Sequence, residues 1–247
     1  MVTSLKKKHV IGFTVSVICL HAAFSIHQPN KVSAAPISHL MTDSRLDFKE
    51  DRARAHEWGA ASYGAWLRGL TLTEHRAIDQ YSGGDYRAIN NYLRFHEGNL
   101  GADGVLDPKI QQIDKALKRA KTPDTITVYR RVGETAFGLE ANSLRVGSTI
   151  NPEKAREFAE TFINKTRKEH AFMSTSLVKQ PVNVFPILLH ITVPKGSHGA
   201  YIESISQKPE EMELLLARGY SYEITDISII NEQGRESLKV AAKLVKK

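Results

Sequence analysis

Glu211-Met212-Glu213-Leu214-Leu215-Leu216-Ala217-Arg218-Gly219 sets two carboxylates two residues apart, directly before an apolar run. Read as a β-strand, whose side chains alternate between faces, the stretch puts Glu211 and Glu213 side by side, while Met212, Leu214 and Leu216 point into a core. Two acids sharing one small site suit substitution at a sugar anomeric carbon. One carboxylate steadies an oxocarbenium-like transition state and the other handles the incoming nucleophile. Glu, Met, Leu, Ala and Arg are also good helix formers, so the same residues taken alone read as an ordinary surface helix.

Upstream, Ile126-Thr127-Val128-Tyr129-Arg130-Arg131 reads as a β-branched strand ending in two arginines, and Phe172-Met173-Ser174-Thr175-Ser176-Leu177 as a strand carrying hydroxyls. Arg, Ser-Thr-Ser and Glu-x-Glu therefore follow one another about 40 residues apart. In these three stretches the chain resembles the bacterial mono-ADP-ribosyltransferase exotoxins, whose pattern is an aromatic-Arg strand, an STS strand and a glutamate strand continuing into Leu-Leu-x-Arg. Ala88-Ile89-Asn90-Asn91-Tyr92-Leu93-Arg94 is similar to the helix that in this family brings an Asn and an Arg to NAD, and Lys121-Thr122-Pro123 leads into the arginine strand as it does there. The resemblance spans about residues 50–245.

It implies NAD as co-substrate, without a metal. Arg130 is then the motif arginine, whose planar guanidinium pairs bidentately with phosphate and stays charged, with Asn90 and Arg94 assisting from the helix. Ser174 hydrogen-bonds Glu213 and fixes its rotamer. Glu213 accepts the ribose 2′-hydroxyl and stabilises positive charge as nicotinamide departs. Arg131 and Thr175 are placed at NAD with these, a supporting arginine and a strand hydroxyl satisfied by backbone being the alternatives. Phe185 stacks on nicotinamide or is buried in the core; the loop around it, Val182-Asn183-Val184-Phe185-Pro186, lacks the arginine that the family often carries there.

Glu211 bears on what is modified. A guanidinium is protonated and a poor nucleophile until a carboxylate orients it and takes a proton. The family's Rho-modifying exoenzymes carry Gln at this position and modify asparagine. This chain instead is similar to the arginine-specific members, including actin-modifying components of binary toxins and a small streptococcal enzyme acting on cytoskeletal proteins. The expected function is transfer of ADP-ribose from NAD to an arginine of a host protein, with actin or an intermediate-filament protein as the kind of acceptor and NAD hydrolysis as a side activity. An asparagine of a Rho-type small GTPase is the alternative acceptor, and a non-catalytic secreted interaction protein on the same scaffold is the alternative of another class.

Composition sets further bounds. The 41% apolar content supports a good core, and 25% charged residues are ordinary for a soluble protein. Lys6-Lys7-Lys8, a mostly apolar run from Val10 to Ile26, and Val32-Ser33-Ala34-Ala35 read as a secretory signal over residues 1–35. The run is short for a membrane anchor and carries His21. Residues 36–247 are then a single ADP-ribosyltransferase catalytic domain, secreted, extracellular, monomeric and without stable membrane association, acting in host cytosol; a separate delivery component stays open. The one cysteine, Cys19, falls inside the signal, which leaves no disulfide, thiol catalysis or cysteine metal site. Removing Lys6, Lys7, Lys8 and Lys31 from 34 basic residues leaves 30 against 27 acidic ones, a formal charge of +3. That is too little and too dispersed for nucleic-acid binding. The ten histidines are scattered without a metal-binding spacing, and the glycines form no phosphate-loop or dinucleotide fingerprint.

The fold expected is α+β. Arg45 to about Arg119 reads as four helices, with a start at Thr73, a break at Gly83-Gly84 and a cap at Asp85. A helix from Pro152 to about Lys168 interrupts a strand-rich second half, in which Val184–Val193, Ala200–Ser204, Glu213–Ala217, Tyr220–Ile230 and Ser237–Lys243 are extended. A helical lobe packed on a two-sheet mixed β sandwich, the ADP-ribosyltransferase toxin fold, satisfies this order.

Overall fold

The computed structural model describes residues 45–181 and 183–245. Four helices come first, as expected: α1 (Arg52–Arg68), α2 (Leu72–Gln80), α3 (Tyr86–Phe95) and α4 (Leu106–Lys118). Asp51 caps α1 by accepting from the Arg54 N–H, and Thr71 and Glu74 form a reciprocal capping box on α2, satisfying amides that a helix start leaves open. The α2 cap is thus Thr71 and not Thr73. Gly83-Gly84 does not break the chain either. Tyr81–Asp85 form a π-helical turn that runs α2 on into α3, and Asp85 makes no capping bond, pairing instead with Lys109 at 2.5 Å. Gly83 serves packing here, because a Cβ on it would lie 2.2 Å from the Gln207 side chain.

The second half contains β1 (Ile126–Val132), a ribbon of β2 (Arg145–Val146) and β3 (Thr149–Ile150), α5 (Pro152–Phe162), β4 (Thr166–Lys168), β5 (Met173–Ser176), β6 (Ile187–Val193), β7 (Gly199–Tyr201), β8 (Glu213–Leu216), β9 (Ser221–Glu232) and β10 (Arg235–Val245). Helix α5 opens with Pro152 in its first turn under an Asn151 cap and ends at Phe162, short of the expected Lys168. Eight strands pair in the order β4-β9-β10-β6-β1-β5-β8-β7. β10 and β6 run parallel and the other neighbours antiparallel, a mixed sheet. The two sheets read from the sequence are two parts of this order: β4-β9-β10-β6-β1 joins β5-β8-β7 through one residue pair, Tyr129 opposite Ser176.

β8 lies between β5 and β7, and Leu214, Leu215 and Leu216 are all fully buried. Leu215 is therefore as much core as the expected Leu214 and Leu216, because the strand is covered on both faces. Helix propensity loses here to backbone pairing on two edges and burial of an unbroken leucine run. All described residues fall in one compact unit spanning Thr42–Lys247, and the expected signal segment 1–35 lies outside the described residues.

Candidate active site

The two acids of the Glu-x-Glu stretch occupy different elements. Glu213 is the first residue of β8, opposite Ser176 of β5, whereas Glu211 closes a 3₁₀ turn, Pro209–Glu211. Met212 between them is left-handed, at φ 48° and ψ 49°. The side-by-side placement on one pleated face is therefore corrected. The Met212 N–H closes the turn onto the Pro209 carbonyl at 3.1 Å while its own carbonyl accepts from the Leu177 N–H, and the extended strand starts at Glu213. Glu213 is 3% exposed, while the Glu211 side chain is 46% exposed.

Both acids border a cavity of about 540 Å³ lined by the turn between α2 and α3, by α3, β1 and β5, by the loop after β5, and by the turn before β8. Asn90, Arg130, Arg131, Ser174, Thr175 and Phe185 line it too. Three buried polar atoms of these residues have no partner: Asn90 Oδ1, Arg130 Nη1 and Glu213 Oε1. An acceptor amide oxygen, a cationic donor and a carboxylate oxygen without partners, all on residues that line one cavity, fit a polar ligand with anionic and hydroxyl groups. NAD, with its pyrophosphate and riboses, has both. Asn90 is aimed by its own amide, whose Nδ2 donates to the Tyr81 hydroxyl at 3.0 Å.

Burial pushes the Glu213 carboxyl up to about 7; a hydrogen bond from Ser174 holds it down in part, repulsion from Glu211 adds to the rise, and Arg130 and Lys208 oppose it. Ser174 and Glu213 meet diagonally, since Ser174 pairs with Leu215 two residues along β8. A buried carboxylate that ionises near neutrality beside an arginine can stabilise developing positive charge.

Other candidates are committed elsewhere. Arg94 does not line the cavity, and its Nε and Nη2 hold Glu169 bidentately at 3.0 and 2.9 Å. Arg131 lines the cavity, yet its side chain is 3% exposed and its Nη2 is paired with Glu232 at 2.7 Å, the supporting placement. The Thr175 hydroxyl donates to the Leu214 carbonyl at 2.6 Å, the backbone-satisfied alternative. Phe185 is 47% exposed on the cavity lining and not in the core. Tyr81, Tyr86, Gln180 and Lys208 also line the cavity and escaped the sequence reading. Tyr86 lies one helical turn before Asn90 on α3, and Lys208 three residues before Glu211, so spacing held a signal for both. Gln180 carried none.

A family model described as ADP-ribosyltransferase exoenzyme matches residues 55–247. The chain is 34% identical over 178 residues to "Mono-ADP-ribosyltransferase C3" of Clostridium botulinum C phage, covering 71% of this chain and 72% of that protein. It is 29% identical over 167 residues to the "NAD(+)--arginine ADP-ribosyltransferase EFV" of Enterococcus faecalis, covering 68% of this chain and 31% of that one. Among solved structures, Plx2a, an ADP-ribosyltransferase toxin from Paenibacillus larvae, superposes with a TM-score of 0.77 at 36% identity, covering 81% of this chain and all of that one. With the STS and glutamate strands and the arginine strand converging on one cavity, the chain belongs to the ADP-ribosyltransferase exoenzyme family and is an NAD+–protein mono-ADP-ribosyltransferase.

Proposed function

We propose that this toxin transfers ADP-ribose from NAD to an arginine of a host protein. The observation that carries this reading is the half-exposed Glu211 carboxylate on the lining of the cavity that buries Glu213. An arginine side chain entering from solvent meets Glu211, which orients the guanidinium and takes its proton. Glu213, held by Ser174, binds a ribose hydroxyl and stabilises positive charge at the anomeric carbon as nicotinamide leaves. Arg130, whose Nη1 has no partner within the protein, pairs with the pyrophosphate, Asn90 supports the same ligand, and Phe185 offers its exposed ring to nicotinamide. Arg131 and Thr175 support this frame from beneath, and Arg94 joins it by exchanging Glu169 for phosphate. Actin or an intermediate-filament protein is the kind of acceptor proposed, and residues 1–35 are proposed to direct secretion before action in host cytosol. The name of the Enterococcus faecalis relative, an NAD(+)--arginine ADP-ribosyltransferase, supports the acceptor type.

The test is incubation of residues 36–247 with labelled NAD and host-cell lysate. Glu213→Gln lowers both labelling and NAD hydrolysis on the order of 10²–10³-fold. Glu211→Gln removes labelling and spares hydrolysis. Bands released by hydroxylamine establish arginine, and resistant bands move the acceptor to asparagine. The second reading, an asparagine of a Rho-type small GTPase, shares the Glu213 chemistry and dispenses with Glu211 as a base. Equal loss of both activities in Glu211→Gln removes the division of roles.

A further inference from the structure

The turn that carries Glu211 is held by its backbone, while its carboxylate is half-exposed and only loosely paired, with Lys208 at 3.8 Å. Arg52, at the start of α1, donates from Nη2 to the Glu210 carbonyl at 2.7 Å. Gln180, in the loop after β5, donates from Nε2 to the Glu211 carbonyl and to Ser176 Oγ, each at 2.9 Å, which uses both of its amide hydrogens. Gln180 is anchored in turn, because its backbone carbonyl accepts from Nε and Nη2 of Arg131 at 3.3 Å, and Arg131 is paired with buried Glu232. Among the described residues, the cation paired with the Glu211 carboxylate is Lys208, whose Nζ lies 3.8 Å away.

A fixed backbone with a loosely paired side chain places a base within reach of an incoming group and still lets it choose its rotamer. We propose that Gln180 and Arg52 are positioning residues for Glu211, setting transfer to the acceptor without setting NAD cleavage. This rests on the assignment of Glu211 to the acceptor. Arg52 lies outside the cavity and therefore does not touch NAD, while Gln180 lines the cavity with its Nε2 donor spent on protein, so Arg52 is the residue that separates the turn from direct contact with NAD. A purely structural role would lower hydrolysis and transfer in the same proportion.

The experiment compares wild type, Gln180→Leu, Arg52→Ala, Arg52→Lys and Glu211→Gln, measuring kcat and KM for NAD hydrolysis and the labelling rate of the lysate band that wild type modifies. Loss of the one hydrogen bond that each residue gives to the turn, at about 1 kcal/mol, predicts transfer falling roughly 3- to 10-fold in Gln180→Leu and Arg52→Ala. Hydrolysis stays within about 2-fold, and Arg52→Lys, which can still donate, recovers most of the transfer. Proportional loss of both activities, or no loss of transfer, overturns the proposal. If Glu211→Gln itself keeps transfer, the acceptor assignment fails; if it loses transfer while Gln180→Leu and Arg52→Ala keep it, only the positioning proposal fails. Should Gln180→Leu not fold, Arg52→Ala, at an exposed helix start, decides alone.

Discussion

Ser176 stands opposite Glu213 in the β5–β8 ladder, and its hydroxyl donates to the Glu211 carbonyl at 2.8 Å. One residue of β5 therefore sets the offset between the strand-borne acid and the turn-borne one, while Ser174 bonds the Glu213 carboxylate itself. The two serines of one motif thus serve two different glutamates.

Ser174→Ala tests the second contact by pH. Because Glu213 ionises at about 7 and the Ser174 bond lowers that value, kcat/KM for NAD hydrolysis in the wild type rises with pH through an acid limb near 7. Removing the hydroxyl moves the limb to higher pH. A pH profile of both proteins checks this, and an unmoved limb would remove Glu213 as the titrating group.

Glu213→Gln has an opposite effect on stability. The folded carboxyl binds its proton up to about 7, against 4.5 for an ordinary glutamate, so the native state holds more protons than the unfolded state between these values. Wild-type stability therefore falls as pH rises from 4.5 through 7. Gln mimics the protonated acid and escapes that loss. The variant should be more stable than wild type at pH 8, by up to the order of 3 kcal/mol, and the gap should close near pH 4.5, as read by denaturant titration at both values.

Met212 separates backbone from volume. It is 2% exposed with φ at 48°, a region that β-branched residues avoid. Met212→Leu should lose less than about 1.5 kcal/mol, and Met212→Ile, of equal volume, about 1–2 kcal/mol more, from left-handed strain. Equal melting of the two would show that the turn relaxes.

Gly59 inverts the usual helix rule. An alanine inside a helix ordinarily gains about 1 kcal/mol over glycine, yet a Cβ here would lie 2.3 Å from the buried ring of Tyr201 on β7. Gly59→Ala should destabilise by about 1–3 kcal/mol, with a lowered urea midpoint, because α1 must lift from β7.

Much of the site was legible because it rests on local patterns. The Tyr-Arg strand and the Ser-Thr-Ser strand each formed within a residue or so of the expected bounds, and Asn90, Arg130, Ser174 and Glu213 meet in one cavity. The pairing of Arg94 with Glu169, 75 residues away, is one that no local pattern announces. Gly83-Gly84 read as a break because glycine lowers helix propensity, but a π turn packed against Gln207 carries the chain through.

By itself the sequence determined the class of the fold, the order of its main helices and strands, and which two acids border the cavity, since alternation, capping and motif order are written in neighbouring residues. Only the tertiary structure decided that Glu211 leaves the strand, that Arg131 is spent on Glu232, and that Gln180 and Arg52 grip the turn. Those outcomes depend on which backbone groups and charges meet across distant segments, and hydrogen bonding and ion pairing between such segments are settled only when the chain has closed on itself.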